Sequence, residues 1–178
     1  MAERDTASGA AGGDLSGRIG VVTGASSGIG WATALELASR GCRIVVNARR
    51  ADRLADLAAK IRGGFGPGLV EVLAGDCAEP ATIEGVLDAA RRAFGRDADL
   101  VVVNAGRGLS GSVMTSDTGQ WEEMVRTNLL GAARIMRASG ERMLRDVGTL
   151  GSWQERAHDI IVLGSVVGRH VSPFSSMY

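Results

Sequence analysis

Thr23-Gly24-Ala25-Ser26-Ser27-Gly28-Ile29-Gly30 sits between two patterns of different period. Before it, Ile19-Gly20-Val21-Val22 is a short apolar run that reads as a buried parallel strand. After it, Trp31-Ala32-Thr33-Ala34-Leu35-Glu36-Leu37-Ala38 carries the spacing of a helix. Strand, glycine turn and helix in that order form a device for holding an anion. The glycines close a turn where side chains would clash and let backbone approach a ligand, while the first helical N–H groups and the positive end of the helix dipole face it. The expected ligand is a phosphate or pyrophosphate; the alternative is a tight turn that binds nothing. Chance glycine spacing is common in a chain with 26 glycines, so the context carries the argument. Strand, turn and helix are followed by Gly41, which suits a helix C-cap, and by a second apolar strand, Arg43-Ile44-Val45-Val46-Asn47.

The same rhythm continues outward. A helix is predicted from Ala51 to Ile61, with Leu54, Leu57, Ala58 and Ile61 on one face. A Gly-rich connection from Gly63 to Gly68 leads to a third strand, Leu69–Leu73. Gly75-Asp76-Cys77-Ala78-Glu79-Pro80 turns the chain into a helix carrying Ile83, Val86, Leu87, Ala90 and Phe94. The fourth strand, Leu100–Asn104, is apolar nearly throughout and so buried on both faces. A longer helix is predicted over Thr118–Arg145, bent or broken near Gly131 and Gly140. A long polar loop, Asp146–Asp159, and a fifth strand, Ile160–Leu163, follow. Strands alternating with helices predict an α/β fold: a Rossmann-like, doubly wound parallel sheet of order 3-2-1-4-5 in a three-layer αβα arrangement. In such sheets ligands sit beyond the carboxyl ends of the strands.

With 178 residues the chain can bury one substantial core, which predicts a short disordered tail, 1–14, and one nucleotide-binding domain, 15–178, incomplete at its C-terminus. Lys plus Arg and Asp plus Glu number 20 each, so no net field favours nucleic acid or an anionic membrane. Cys42 and Cys77 are too few for a disulfide framework or a zinc site and fit thiols of a reducing compartment. His158 and His170 have no metal-ligand spacing and read as surface or loop residues, so no metal is expected. Charges interrupt every apolar run before it reaches the length of a membrane span, and the first residues hold no apolar signal core. A soluble, cytoplasmic protein is expected.

The residues suited to chemistry lie at the strand ends. Asp76, after the third strand, either accepts from an adenine amino group or serves as a helix N-terminal carboxylate. Asn104-Ala105-Gly106 ends the fourth strand in a small-residue turn that lets backbone approach a ribose; the alternative is an ordinary strand-ending turn. At the end of the second strand, where a carboxylate would accept from a ribose 2′-hydroxyl, stand Ala48, Arg49 and Arg50. A guanidinium pairs with a 2′-phosphate where a carboxylate would repel it, so the sequence favours NADP(H) over NAD(H); two solvated surface arginines are the alternative. Ser165 follows the fifth strand, and Tyr178 comes 13 residues later. Beside a dinucleotide, a phenol whose pKa a neighbouring cation depresses from ~10 can hand a proton to a carbonyl.

The spacing Thr-Gly-x-x-x-Gly-x-Gly differs from the Gly-x-Gly-x-x-Gly of many dinucleotide folds. Together with Asp76, Asn104-Ala105-Gly106, Asn128 within Thr127-Asn128-Leu129-Leu130-Gly131, and the Ser165/Tyr178 pair, it resembles the short-chain dehydrogenase/reductase family from Ile19 to Tyr178. The resemblance implies hydride transfer between NAD(P)(H) and a small carbonyl or alcohol substrate, and a homo-oligomer for the full-length form. Thr23, Gly24, Ser26, Ser27, Gly28, Ile29, Gly30, Arg49, Asp76, Cys77, Asn104, Ala105 and Gly106 would bind the cofactor. Ser165 would polarise the substrate oxygen, Tyr178 would act as acid or base, and Asn128 would hold a water in the proton relay. The family pattern adds a lysine four residues after the tyrosine, which binds the nicotinamide ribose and lowers the tyrosine pKa. This sequence ends at Tyr178, so the expectation is the N-terminal part of a longer enzyme with roughly 70 further residues. Its fifth strand is then an exposed apolar edge. The competing expectation is a nucleotide-binding or interaction protein without turnover.

Overall fold

The computed structural model describes residues 14–109, 111–112, 114–150 and 156–165. In chain order these form β1 (Ile19–Thr23), α1 (Gly28–Ser39), β2 (Arg43–Ala48), α2 (Ala51–Phe65), β3 (Val70–Ala74), α3 (Pro80–Phe94), β4 (Leu100–Val103), α4 (Thr118–Val125), a π-helical segment (Arg126–Gly131), α5 (Ala132–Leu150) and β5 (Asp159–Val162). The tail expected at the N-terminus lies almost entirely outside these residues, as do His170 and Tyr178.

Every strand pairing is parallel, and the sheet order is β3-β2-β1-β4-β5, as the sequence predicts. Parallel strands need crossovers, and helices supply them on both faces. Side chains alternate accordingly along each strand. Val22, Ile44, Val46 and Val102 meet α1 and α2 on one face, and Ile19, Val21, Val45, Val101 and Val103 meet α3 and α5 on the other. α1 approaches the sheet closely because its buried face is Gly30, Ala34 and Ala38. α2 buries Leu54, Leu57, Ala58 and Ile61 at the predicted positions. Leu54, Leu57 and Ile61 have no solvent exposure, and each contributes about 1.5–3 kcal/mol of apolar burial. α3 starts with Pro80 in its first turn and ends on Gly95, whose left-handed conformation (φ 84°) lets its N–H close back on Arg91 O.

Two expectations change. The long helix is interrupted by a π turn that ends on Gly131, yet it continues unbroken through Gly140 to Leu150. The predicted loop therefore starts later, and Asp146 is helical. Arg156 and His158 reach back to it, with Arg156 Nη1 2.8 Å and His158 Nε2 3.0 Å from Asp146 Oδ2. His158 lies in the loop before β5, as one of the two expected placements had it, with its side chain 5% exposed. Burial works to raise the Asp146 carboxyl, but the hydrogen bonds from His158 and Arg156 outweigh it and hold the group below its ordinary value. The pairing escaped the sequence because three polar residues near a loop read as solvated.

A second polar cluster lies at the amino ends of the strands. Asp99, 1% exposed, accepts from Arg18 Nε (2.8 Å), Arg96 Nη1 (2.6 Å) and the Ile19 N–H (3.2 Å); Arg18 also pairs with Asp159 at 2.7 Å. It ties the starts of β1, β4 and β5 together. β5 is the outermost strand of the described sheet, and its Ile161 and Val162 are each 49% exposed, the apolar edge the sequence predicts.

Of the two thiols, Cys42 is buried and Cys77 half-buried. Burial, reinforced by the nearby Asp99 charge, pushes the Cys42 thiol up to about 11 from 9.0. The unfolded chain ionises first as pH rises, so this contribution to stability is complete below about pH 9 and is lost progressively toward about pH 11. Urea midpoints measured across that window fall in the native chain, and Cys42→Ala flattens the fall; an unaltered slope would remove Cys42 as its source.

Candidate nucleotide-binding and active site

The order of the sheet reverses between β1 and β4, and the carboxyl ends of these two strands meet at the glycine turn. Thr23 closes β1 with its hydroxyl, which accepts from Asn104 N (3.0 Å) and Ala105 N (3.1 Å) and donates to Val102 O (3.4 Å). Asn104 answers with its Nδ2, which donates to Thr23 O (2.9 Å) and Gly24 O (3.3 Å). Ala25 N donates to Asn47 O (3.0 Å), attaching the same turn to the end of β2. A Cβ on Gly24 would stand 2.8 Å from Ala105 Cα, and φ there is +68°, so the turn requires glycine on both counts. Asn104 therefore braces the turn with its side chain, a role that the sequence left unassigned.

α1 opens at Gly28 and takes in Gly28, Ile29 and Gly30 as its first turn, earlier than the periodicity suggested. No side chain caps it at Ser27, and no acidic residue stands in its first turn. Ser27 is engaged elsewhere: Arg50 Nη2 donates to Ser27 Oγ (2.8 Å) and to Ser26 Oγ (3.0 Å). The amino end of this helix is thus left open to an anion.

In front of it lies a cleft of about 220 Å³ lined by Gly24, Ser26, Ser27, Asn47, Ala48, Arg49, Arg50, Gly75, Asp76, Cys77, Ala105, Gly106, Arg107 and Thr127. Most of the predicted cofactor residues come together here from the ends of β1, β2, β3 and β4. Three arginines face one carboxylate. That carboxylate, Asp76, is itself occupied: Oδ1 accepts from Ala78 N (2.9 Å) and Oδ2 from Arg126 Nη2 (2.7 Å). It closes the turn ahead of α3, whose N-cap is Glu79, and neither sequence alternative describes that role fully. Asn47 Nδ2 donates to Leu73 O (2.9 Å) and Gly75 O (3.3 Å), while its buried Oδ1 has no partner among the described residues. Cys77 lines the same wall, and burial raises its thiol above the ordinary value, with the Asp76 charge adding to the rise.

Across Ala105, Gly106 and Arg107 the cleft continues into a second cavity of about 520 Å³, lined by Ile29, Val103, Asn104, Met124, Asn128, Val162, Leu163 and Ser165 among others. Asn128 and Ser165 thus border one space, whereas Tyr178 lies outside the described residues. The Asn128 amide is bidentate to the backbone of Arg107, accepting from its N–H at 2.9 Å and donating to its C=O at 2.8 Å. Its side chain is committed to the 104–107 turn. Among the residues lining the cleft, Arg50 and Arg107 are the ones the sequence left generic or unassigned. Only Arg50 carried a signal, as a base following Ala48.

A pyrophosphate-bearing nucleotide fits this arrangement: a glycine cradle that a Cβ would fill, an uncapped helix terminus, and arginines that outnumber free carboxylates.

Comparison with known proteins agrees with the geometry. The chain is 34% identical over 155 residues to a 3-oxoacyl-[acyl-carrier-protein] reductase of Escherichia coli, covering 87% of this chain and 57% of the relative. To an oxidoreductase of Staphylococcus saprophyticus it is 31% identical over 165 residues, 93% of this chain and 66% of that one. The chain therefore spans between about half and two thirds of these relatives' length. Among solved structures, a short-chain dehydrogenase/reductase from Burkholderia phymatum in complex with NAD superposes with TM-score 0.82 at 29% identity, covering 93% of this chain and 55% of that one. A metagenomic short-chain oxidoreductase in complex with NADP superposes with TM-score 0.80 at 30% identity, covering 93% and 70%. The model of the short chain dehydrogenase family matches residues 18–178, and with the sheet order, the glycine turn and the strand-end residues it shows that this chain belongs to the short-chain dehydrogenase/reductase family.

Proposed function

We propose that this chain is the nucleotide-binding part of an NADP(H)-dependent oxidoreductase that moves a hydride between nicotinamide and a carbonyl or alcohol substrate. The observation that carries the reading is the open, uncapped start of α1 facing a cleft lined by Arg49 and Arg50, with Ala48 where a carboxylate would select a free ribose. Glycine-turn backbone and the α1 N–H groups hold the pyrophosphate. Arg49 pairs with the 2′-phosphate, supported by Arg50, which is steadied by Ser26 and Ser27. Asp76 and Cys77 flank the adenine end, and Asn104, Ala105 and Gly106 take the ribose. A bound nicotinamide supplies or accepts the hydride. On the protein side, Ser165 holds the substrate oxygen and Tyr178 carries the proton to or from it. Asn128 keeps the Arg107 turn in register, so that a relay water can be held beside it.

The reading extends to one nucleotide-binding domain over 15–178, a small-molecule substrate, a homo-oligomeric full-length form and a cytoplasmic setting. No helix among the described residues is long and apolar enough to cross a membrane.

Arg49→Asp tests the cofactor assignment. A charge-assisted pair to phosphate is worth about 1.5–3 kcal/mol, and a carboxylate in its place adds repulsion, so NADPH affinity falls roughly 100-fold while NADH affinity changes less than about 3-fold. Calorimetric titration of both nucleotides reads the difference. Equal losses for the two, or none, would make Arg49 a solvated surface group.

A further inference from the structure

Arg126 touches none of the space described above, yet it is joined to the cleft wall. It stands two residues before Asn128 in the π-helical segment, with Nη2 2.7 Å from Asp76 Oδ2 and Nη1 2.5 Å from Glu79 Oε1. The same stretch of chain grips the β3–α3 turn twice more. Arg134 Nη1 donates to Ala78 O at 2.8 Å, and Gly131 lies so close that an added Cβ would be 3.1 Å from both Ala78 Cα and Cys77 O. On its other side the segment holds Arg107 through Asn128, and Thr127 between them lines the cleft itself. Residues two apart on a helical segment project to nearly opposite sides, so one short segment reaches both walls of the cleft.

We infer that Arg126 is a positioning residue for the adenosine half of the nucleotide: it fixes the Asp76–Glu79 wall to the π-helical segment and so holds the cleft at the width the adenosine needs. The inference rests on the nucleotide reading of the cleft. Arg126 acts through Asp76, whose second oxygen it occupies, leaving the Asp76–Ala78 backbone rather than a free carboxylate to meet the base. The forked geometry matters, because the guanidinium gives each carboxylate its own nitrogen in a fixed plane, Nη1 to Glu79 and Nη2 to Asp76, whereas an ammonium is one point charge on a flexible stem.

The experiment compares the 178-residue chain with Arg126→Met and Arg126→Lys in calorimetric titrations with NADPH and with adenosine 2′,5′-bisphosphate, which lacks the nicotinamide half, alongside thermal melts. Arg126→Met is expected to weaken both ligands by the same factor, about 5- to 10-fold, with a melting temperature within about 2 °C of the parent. Arg126→Lys recovers part of the loss. Gly131→Ala, which pushes on the same wall from behind, weakens the bisphosphate in the same sense. Unchanged affinity for the bisphosphate in Arg126→Met overturns the inference and leaves the nucleotide reading standing. A loss for NADPH alone also overturns it, because the effect would then lie outside the adenosine half. Failure of the parent chain to bind either ligand overturns both.

Discussion

Asp99→Ala lowers the stability of the chain by about 3 kcal/mol and its melting temperature by roughly 6–12 °C. The carboxylate is 1% exposed and answers two guanidiniums and a backbone N–H, at 2.8, 2.6 and 3.2 Å. Removing it leaves the Ile19 N–H without its acceptor at the start of β1, where water has little access. It also leaves Arg96, 23% exposed, without its carboxylate partner, and Arg18, 19% exposed, with Asp159 alone as counter-charge. A fully buried pair broken in this way costs about 3–5 kcal/mol, and the partial solvation of both arginines places the expected loss at the lower end. Arg137→Ala is the contrast. That arginine pairs with Glu141 along an exposed helix face with its side chain 83% exposed, and its loss costs under about 0.5 kcal/mol. Urea unfolding of the two variants reads the difference directly. A loss below about 1 kcal/mol for Asp99→Ala would mean that the network holds the strands no better than a surface pair.

Gly30→Ala removes nucleotide binding and destabilises the fold. The new Cβ would stand 2.4 Å from Asn104 Nδ2 and 2.6 Å from Gly24 O, well inside any contact a Cβ makes. Asn104 cannot simply swing away, since its Nδ2 donates to Thr23 O and Gly24 O, and backbone supplies the second clash. Relief requires α1 to move off the turn, which breaks the brace between β1 and β4 and displaces the N–H groups that face the cleft. Overpacking costs about 1–3 kcal/mol and each lost hydrogen bond about 1 more, so stability falls by about 2–4 kcal/mol. NADPH affinity falls by more than about 100-fold, because the helix terminus no longer points where the pyrophosphate sits. Gly28→Ala costs less stability: nothing lies within 4 Å of its Cβ position, and its φ of +56° imposes only about 1–2 kcal/mol of backbone strain. Wild-type NADPH affinity in Gly30→Ala would show that the glycine turn is not where the nucleotide binds.

These two sites differ in how far they could be read from sequence. Gly30 was legible because its neighbours within a dozen residues, an apolar strand and a helical repeat, fix what the turn must be. The sheet order followed from the same local rhythm, and strand limits shifted by only a residue or so, as at β3 and β5, where backbone pairing rather than apolarity sets the end. Asp99 was not legible. Its partner Arg18 is 81 residues away, and nothing local distinguishes a charge entering a buried strand from a solvated one. Arg126 with Asp76 and Asn128 with Arg107 are the same case, pairs separated by 50 and 21 residues that only the folded topology unites. The π turn escaped for another reason: one extra residue in a helical period lies below what apolar spacing resolves, and glycine marked its end without marking its kind.

The proposed nucleotide site in the cleft requires that this chain bind a nicotinamide dinucleotide. Calorimetric titration of the 178-residue chain with NADPH and with NADH measures that. It should give saturable 1:1 binding of NADPH, at least about 10-fold tighter than NADH, the ratio expected when a charge-assisted pair to the 2′-phosphate adds about 1.5 kcal/mol or more. Binding of neither nucleotide, or tighter binding of NADH, would contradict it.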